Sequence, residues 1–96
     1  MRNDICILVL NYAAEAEIKK KELQVFCSRK SAGRSEYYAA YAVGLKPKFV
    51  LEIDPMDWES LTEQGEYANK VIYKGAEYNI LRDYQTNESS LELTVG

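Results

Sequence analysis

Residues 70–84 read KVIYKGAEYNILRDY, and this stretch contains the clearest fold signal in the chain. Residues 70–73 and 77–84 are rich in β-branched and aromatic side chains, which favour strands. Lys74-Gly75 between them is typical of a tight turn. The stretch therefore predicts a β-hairpin, and within its second strand we expect Tyr78, Ile80 and Tyr84 to alternate toward a core.

Further strands are predicted on both sides of this hairpin. Each segment is a short apolar run or alternates apolar with polar positions. The four segments are residues 5–10, 22–28, 48–54 and 91–95. In the third of them, Phe49, Leu51 and Ile53 share one face, which predicts that this face is buried.

The intervening segments are less regular. Residues 11–21 are polar, with three consecutive lysines, and fit a loop or a single helical turn. Residues 36–43 contain three alanines and are followed by Gly44, a pattern that predicts a short helix. Residues 55–68 predict a long acidic loop, and loops of that length are usually functional or mobile.

Together these segments predict one mainly β domain spanning residues 1–96. Six strands with one short helix between the second and third favour a small antiparallel β-barrel or sandwich. Neither an internal repeat nor a linker interrupts the pattern.

Composition excludes several classes of protein. The 96 residues are 47% apolar and 28% charged, which is ordinary globular composition. No apolar run approaches the ~18 residues of a membrane span. The chain lacks histidine, and Cys6 and Cys27 have neither metal-site nor redox-motif spacing, so we interpret both as reduced core residues. With no nucleophile–base pair and no phosphate-binding loop, we expect no enzyme activity, no cofactor and no metal.

Charge is unevenly distributed along the chain. Residues 1–48 contain nine basic and five acidic residues, a net charge of +4, whereas residues 49–96 contain three basic and ten acidic residues, a net charge of −7. One interpretation is ordinary solvated charge. The other is a molecule with a basic pole and an acidic pole, which favours head-to-tail contacts between copies.

Between residues 23 and 95, a set of short motifs follows in a distinctive order. The motifs are Val25-Phe26-Cys27, Arg34-Ser35-Glu36-Tyr37-Tyr38-Ala39-Ala40, Gly44-Leu45-Lys46-Pro47, Phe49-Val50-Leu51-Glu52-Ile53, Asp57-Trp58, the hairpin from Val71 to Arg82, and Leu91-Glu92-Leu93. This ordered set resembles the head closure proteins of tailed bacteriophages, also called head-tail joining or stopper proteins. Trp58 stands where that family usually has tyrosine.

The resemblance implies a structural virion protein without catalysis. Such proteins are small β-barrels that assemble as a ring at the capsid vertex, below the portal or its adaptor. The ring retains packaged double-stranded DNA and provides the surface on which the tail docks. The implied partners are therefore copies of the chain itself, the portal or adaptor ring, and tail or tail-terminator proteins, with no membrane. The implied location is the head–tail interface of the virion, and the host cytoplasm during assembly.

Two groups of residues are candidate functional sites under this hypothesis. Carboxylates repel DNA phosphates, so an acidic segment suits the lining of a channel that holds DNA without gripping it. The residues predicted to face the channel are Asp54, Asp57, Glu59, Glu63 and Glu66; a solvated acidic loop is the alternative. The residues predicted at subunit or ring interfaces are Arg34, Glu36, Tyr38 and Trp58. For these, simple solvation or packing on the barrel is the alternative.

Two other functions remain open. A small barrel with eight tyrosines is also compatible with a module that binds single-stranded nucleic acid by base stacking. Overall acidity weighs against that reading. The other alternative is a tail-terminator ring of the same phage connector.

Overall fold

A computed structural model describes residues 3–30 and 47–96, and most of these residues lie in strands. In chain order the elements are β1 (Asp4–Ala14), β2 (Glu17–Lys30), β3 (Phe49–Ile53), α1 (Pro55–Ser60), β4 (Thr62–Glu63), β5 (Glu66–Tyr67), β6 (Lys70–Tyr73), β7 (Ala76–Asn87) and β8 (Ser90–Val95). The mainly β prediction is confirmed. The helix predicted over residues 36–43 lies outside the described residues.

Six of the strands close into a barrel in the order β1-β2-β3-β8-β7-β6, and every neighbouring pair is antiparallel. Of the two predicted architectures, barrel and sandwich, the chain adopts the barrel. The short strands β4 and β5 form a separate two-stranded sheet. Closure leaves the paired backbone groups of these six strands inside one continuous ladder, which limits exposed sheet edges.

Apolar side chains at alternate strand positions fill the barrel interior. Phe49, Leu51 and Ile53 are all buried, as their shared face predicted. Leu8 of β1 and Leu93 of β8 meet them in the same core cluster, and both are fully buried. The barrel is therefore a packed core and not a pore.

Two-residue turns with positive φ connect three of the hairpins. Lys74-Gly75 joins β6 to β7, which confirms the predicted hairpin, and Gln64-Gly65 joins β4 to β5. Glu15-Ala16 joins β1 to β2. All six turn residues have positive φ, the conformation that type I′ hairpin turns require.

Residues 11–21 are neither a loop nor a helical turn, so both sequence-based expectations for this segment are wrong. They belong to a long β1–β2 ribbon, in which Tyr12 pairs with Lys19 and Leu10 with Lys21. β6 pairs with β1 only at residues 6–9, and β3 pairs with β2 only at residues 28–30. The ribbon persists because the two strands satisfy each other's backbone groups, regardless of their polar side chains.

Residues 55–68 are also not a long loop. They form α1 and the small β4–β5 sheet. Asp54 begins the helix as its N-cap, with its side chain accepting a hydrogen bond from the Met56 backbone at 2.9 Å, and Pro55 occupies the first turn. A six-residue helix is too short to show a helical apolar period, so capping was its only signal in the sequence.

Tyr84 does not face the core as predicted. Its side chain is 53% exposed, while Tyr78 and Ile80 pack against the core cluster. The register of β7 against β8 shifts between Ile80 and Arg82, as at a β-bulge. One extra residue reverses the faces of all later side chains, so Tyr84 turns outward beside Glu92.

Candidate functional site

One end of the barrel is closed by α1, β4 and β5, and residues 54–67 are called the acidic end. Trp58 and Leu61 of this segment join the core cluster, together with Ala68. The acidic end follows the C-terminus of β3, whereas Lys48 and Phe49 stand at the opposite end of the same strand. All five predicted channel residues belong to the acidic end, so the structure brings them to one pole of the molecule.

Trp58 anchors the acidic end to the barrel. Its indole is only 5% exposed and stacks on the Tyr67 ring, with centroids 5.4 Å apart and planes 5° from parallel. The Tyr67 hydroxyl donates to Glu59 Oε2 at 2.9 Å, and this hydrogen bond raises the pKa of Tyr67. Trp58 thus packs within its own chain, and Tyr67 is the aromatic ring that this end presents to solvent.

Acidic side chains of this end bind groups of their own chain. Asp54 caps α1, Glu59 accepts from Tyr67, and Glu63 forms an ion pair with Lys21 on β2. Glu63 lies directly opposite Glu66 in the β4–β5 sheet. Since like charges opposite each other repel, Lys21 relieves this pair, and its hydrogen bond to Glu63 raises the pKa of the lysine.

Asp57 lies in the first turn of α1 and is half-buried, while Glu66 is exposed. A carboxylate in the first turn interacts favourably with the helix dipole. Among the five acids predicted to face the channel, some therefore stabilise the fold through contacts within the chain, and Glu66 faces solvent. Its role toward DNA stays a prediction.

The opposite end of the barrel carries cations on aromatic rings. Arg29 lies 4.4 Å from the Phe49 ring centroid, Lys48 lies 5.5 Å from Tyr78, and Lys74 lies 5.6 Å from Tyr73. These six residues are called the basic end. Cations over ring faces are attracted by the ring quadrupole, so the rings position the three charges.

The aromatic rings of the basic end also contact one another. The Phe49 ring packs edge-on to Tyr78 at 4.9 Å and tilted against Tyr73 at 5.5 Å. The Tyr73 hydroxyl donates to Asp4 Oδ2 at 2.8 Å, and burial with this hydrogen bond raises the pKa of Tyr73 to about 12. Sequence reasoning missed this cluster because its members lie on four strands and adjoining turns. The adjacent pairs Lys48-Phe49 and Tyr73-Lys74 were the only local signal.

A groove runs beside α1 at the acidic end. It is lined by Pro55, Met56, Glu59, Ser60 and Gln85 and has a volume of about 440 Å³. Met56 is 76% exposed. The walls of the groove are mainly apolar, and Glu59 is the acidic residue among those that line it. Such a groove suits an apolar or cationic group.

Ile5 and Phe26 form an exposed apolar pair on the outer face of the barrel. They lie directly opposite each other on β1 and β2 and are 48% and 63% exposed. Ile7 and Ile72, a half-buried cross-strand pair on the same face, continue this strip. In the sequence, Phe26 interrupts the alternation of Val25 and Cys27 with polar positions, and this place between them was the signal that it points outward.

The predicted interface residues Arg34, Glu36 and Tyr38 lie outside the described residues. Trp58 lies in the core cluster. The interface role of these four residues therefore stays a prediction.

The two cysteines are free and buried, as expected for core residues. A side-chain hydrogen bond with Cys27, together with burial, raises the pKa of the Cys6 thiol well above its usual range. A thiol of that kind is a poor nucleophile.

No group of three or more potential metal ligands occurs within residues 3–30 and 47–96. Nor is any helix in that part of the chain long and apolar enough to cross a membrane. No protein-family model, no curated protein and no solved structure matches the chain.

Proposed function

We propose that this protein is a structural component of a tailed-phage head–tail connector, of the head closure type. Copies form a ring below the portal or adaptor, retain the packaged DNA and present the surface on which the tail docks. The observation that carries this proposal is a closed six-stranded barrel with all five predicted channel acids at one pole, in a chain with the ordered motifs of that family.

The packed interior determines where DNA can pass under this proposal. Leu8, Leu51 and Leu93 are fully buried inside the barrel, so no single copy contains a channel. DNA then lies between copies, along the axis of their ring. The charge of the surface nearest the ring axis then decides whether the DNA is attracted or repelled.

The acidic end suits that position. At this end Glu66 is exposed, and Glu63, which forms an ion pair with Lys21, lies directly opposite it. Unneutralised carboxylates repel phosphates, and this repulsion prevents the tight binding that would stop DNA from moving. Nothing in this role requires chemistry on a substrate, so we propose that the protein is not an enzyme.

The decisive experiment is imaging of phage particles assembled without this protein. We expect heads that have packaged DNA but leak it, with unattached tails nearby. Supplying the protein in trans restores joined particles. Normal virions in its absence would overturn the proposal.

The basic end specifically favours the alternative of a nucleic-acid-binding module, because Arg29, Lys48 and Lys74 lie beside aromatic rings. That function predicts salt-sensitive binding of single-stranded oligonucleotides, lost in Lys48→Glu. Under the connector proposal, the isolated protein shows no such affinity at physiological salt. Fluorescence anisotropy across a salt series separates the two functions.

A further inference from the structure

The β1–β2 ribbon leaves one edge of β2 without a second strand beside it. Within residues 3–30 and 47–96, β1 pairs with β2 at residues 17–27, but β3 pairs with it only at residues 28–30. β3 ends at Ile53, and Asp54 then begins α1 instead of continuing the sheet. Residues 18–26 of β2 are called the open edge. Unpaired backbone groups along such an edge are a template for another strand.

Hydrogen bonds on the far side of the ribbon indicate which backbone groups point out of the open edge. The Val9 carbonyl accepts from the Asn69 backbone at 2.9 Å, and the Asn11 backbone donates to Asn69 Oδ1 at 3.2 Å. Odd-numbered residues of β1 therefore point away from β2, and in an antiparallel pair the residues opposite them point outward on the other side. Val9 lies opposite Glu22, and Asn11 lies opposite Lys20. Even-numbered residues of β2 thus direct their N–H and C=O groups out of the open edge.

The side chains of these even-numbered residues share the outer face of the ribbon, since strand side chains alternate between faces. All of them are exposed, and they are Ile18, Lys20, Glu22, Gln24 and Phe26. Ile18 and Phe26, near the two ends of the open edge, are 75% and 63% exposed. Between them, Lys20 and Glu22 carry opposite charges two positions apart. This pattern is complementary to an antiparallel copy of itself.

One register of two antiparallel open edges satisfies the charges. When residue 21 of one copy lies opposite residue 21 of the other, each Lys20 faces the Glu22 of the other copy. Opposite charges directly across a strand pair stabilise the pairing. Moving the two-fold axis by one residue to either side would place Glu22 against Glu22 or Lys20 against Lys20. Like-charge repulsion therefore disfavours both neighbouring registers.

Apolar contacts and the length of the open edge fit the same register. Ile18 lies diagonally beside Phe26 of the other copy, a separation that an aromatic side chain spans. The β1–β2 turn of the other copy then lies opposite Phe26, so the added strand ends before β3 begins to pair at Ser28. The two Lys21 side chains meet on the inner face, where each forms an ion pair with Glu63 of its own chain.

We propose that two copies of this protein associate by antiparallel pairing of their open edges, with Lys20 of each copy opposite Glu22 of the other. The pairing joins two barrels through one sheet and covers edges that would otherwise recruit other strands. It is an isologous contact, which uses the same surface on both copies and does not by itself build a ring. The pairing is therefore additional to the contacts of the proposed ring, and the failure of either proposal leaves the other intact.

The unmodified full-length chain gives the first test. We expect a concentration-dependent equilibrium between monomer and dimer in sedimentation experiments. As the dimer forms, amide hydrogen exchange slows at Ile18, Lys20, Glu22 and Gln24, whose N–H groups point out of the open edge. Unchanged exchange at these four residues in a dimer overturns the proposal. So does a chain that stays monomeric at every soluble concentration, and the lysines at 19–21 then serve to keep the edge unpaired.

An engineered disulfide tests the register. Lys21→Cys places a thiol on the two-fold axis, where the Cα atoms of a directly opposite, non-hydrogen-bonded pair are about 4.5 Å apart, a distance that a disulfide spans. Lys19→Cys is the matched control on the same face. Because residue 19 faces residue 23 of the other copy, its two thiols are offset by roughly 13 Å along the strands.

With oxidised glutathione as the oxidant, we expect Lys21→Cys to form a covalent dimer. We expect no such dimer from Lys19→Cys or from the wild-type chain, whose two thiols are buried. Equal yields from the two variants, or a higher yield from Lys19→Cys, overturn the proposed register.

A charge swap tests the cross-strand pairs. Lys20→Glu and Glu22→Lys each place like charges opposite each other, and we expect each to weaken dimerisation about 10-fold or more. The double variant again faces opposite charges and restores the wild-type dissociation constant. A double variant as weak as the single ones contradicts the pairing.

An apolar variant tests the ends of the open edge. Phe26→Thr keeps a strand-favouring residue but removes the ring, and we expect weaker dimerisation. Tyr84→Thr, at an exposed aromatic position of β7, is the matched control and leaves dimerisation unchanged. Melting temperatures of the dilute variants verify that they fold. Equal dissociation constants for the two variants would show that Phe26 is not in the interface.

Discussion

At the scale of single residues, the structure uses charge to connect strands. Glu52 of β3 and Glu92 of β8 lie directly opposite each other. Lys30 of β2 donates to both carboxylates, at 2.7 and 3.2 Å, and these hydrogen bonds, the one to Glu52 foremost, raise its pKa. One lysine therefore neutralises a cross-strand repulsion and ties three strands together.

We predict that Lys30→Met destabilises the protein by about 0.5–1 kcal/mol, because it leaves two carboxylates facing each other. The value is modest because nearly half of the lysine side chain is exposed and solvent screens the interaction. Lys20→Met is the control, since the ion pair of Lys20 with Glu22 is exposed and has a distance of 3.7 Å. Urea unfolding at low and high salt measures both variants. Equal losses in the two would contradict the prediction.

Tyr73 predicts an alkaline limit to stability. An unfolded tyrosine ionises near pH 10, whereas the folded Tyr73 keeps its proton to about 12. Unfolding therefore releases a proton between these values, and the stability that Tyr73 contributes below pH 10 is lost as the pH rises through about 12. We expect this part of the alkaline slope to be absent in Tyr73→Phe, which at neutral pH costs roughly 1 kcal/mol for the lost bond to Asp4. Parallel slopes in thermal melts from pH 8 to 12 would refute this assignment.

At the scale of elements, the three two-residue turns with positive φ differ in composition. Gly65 and Gly75 occupy the second positions of their turns, but Ala16 occupies that position in the β1–β2 turn, at φ 67°. A side chain in the left-handed region is strained, roughly by 1–2 kcal/mol before the lower entropy of the unfolded alanine chain is counted. The ribbon keeps this turn because its long ladder holds it in place.

The turns therefore predict opposite effects for two mirror substitutions. Ala16→Gly stabilises the protein by about 0.5–1 kcal/mol, whereas Gly75→Ala destabilises it by about 1 kcal/mol. A methyl group at Gly75 meets no atom within 4 Å, so backbone conformation alone is tested there. Chemical denaturation of both variants measures whether the free energy of unfolding rises or falls in each. A destabilised Ala16→Gly would show that the left-handed conformation at this turn carries no strain.

At the scale of the whole molecule, one core holds the barrel closed. Leu93 on β8 lies directly opposite Leu51 on β3 and Asp83 on β7, and its side chain is fully buried. Removing it leaves a cavity that touches several strands at once. In a domain of 96 residues, with a total stability of about 5–15 kcal/mol, such a loss is large.

We predict that Leu93→Ala costs about 2–5 kcal/mol and lowers the stability of all six barrel strands together. Ile18→Ala, on the exposed ribbon, changes stability by less than about 0.5 kcal/mol. Hydrogen exchange distinguishes global from local effects. Exchange that speeds up only in β8 would contradict a single cooperative core.

Several features of this fold were predictable because they are local. Alternation identified the buried face of β3, and Lys74-Gly75 identified a hairpin, since side-chain direction and turn conformation depend on near neighbours. Tyr84 was misassigned because a bulge, which no residue type marks, reverses the faces after Ile80. The candidate site was half predictable: its acids are consecutive in the chain, but their capping and pairing partners, such as Lys21 for Glu63, are not.

By itself, the sequence of this protein determined the central segments of the six barrel strands, the buried face of β3 and the place where the acidic residues concentrate. Only the tertiary structure decided that the sheet closes into a barrel, that β1 and β2 extend into a long ribbon, and that Arg29, Lys48 and Lys74 gather at one end. The reason is that closure, register and barrel ends arise from contacts between distant segments. Alternation within a strand describes its two faces but not the neighbour that covers them.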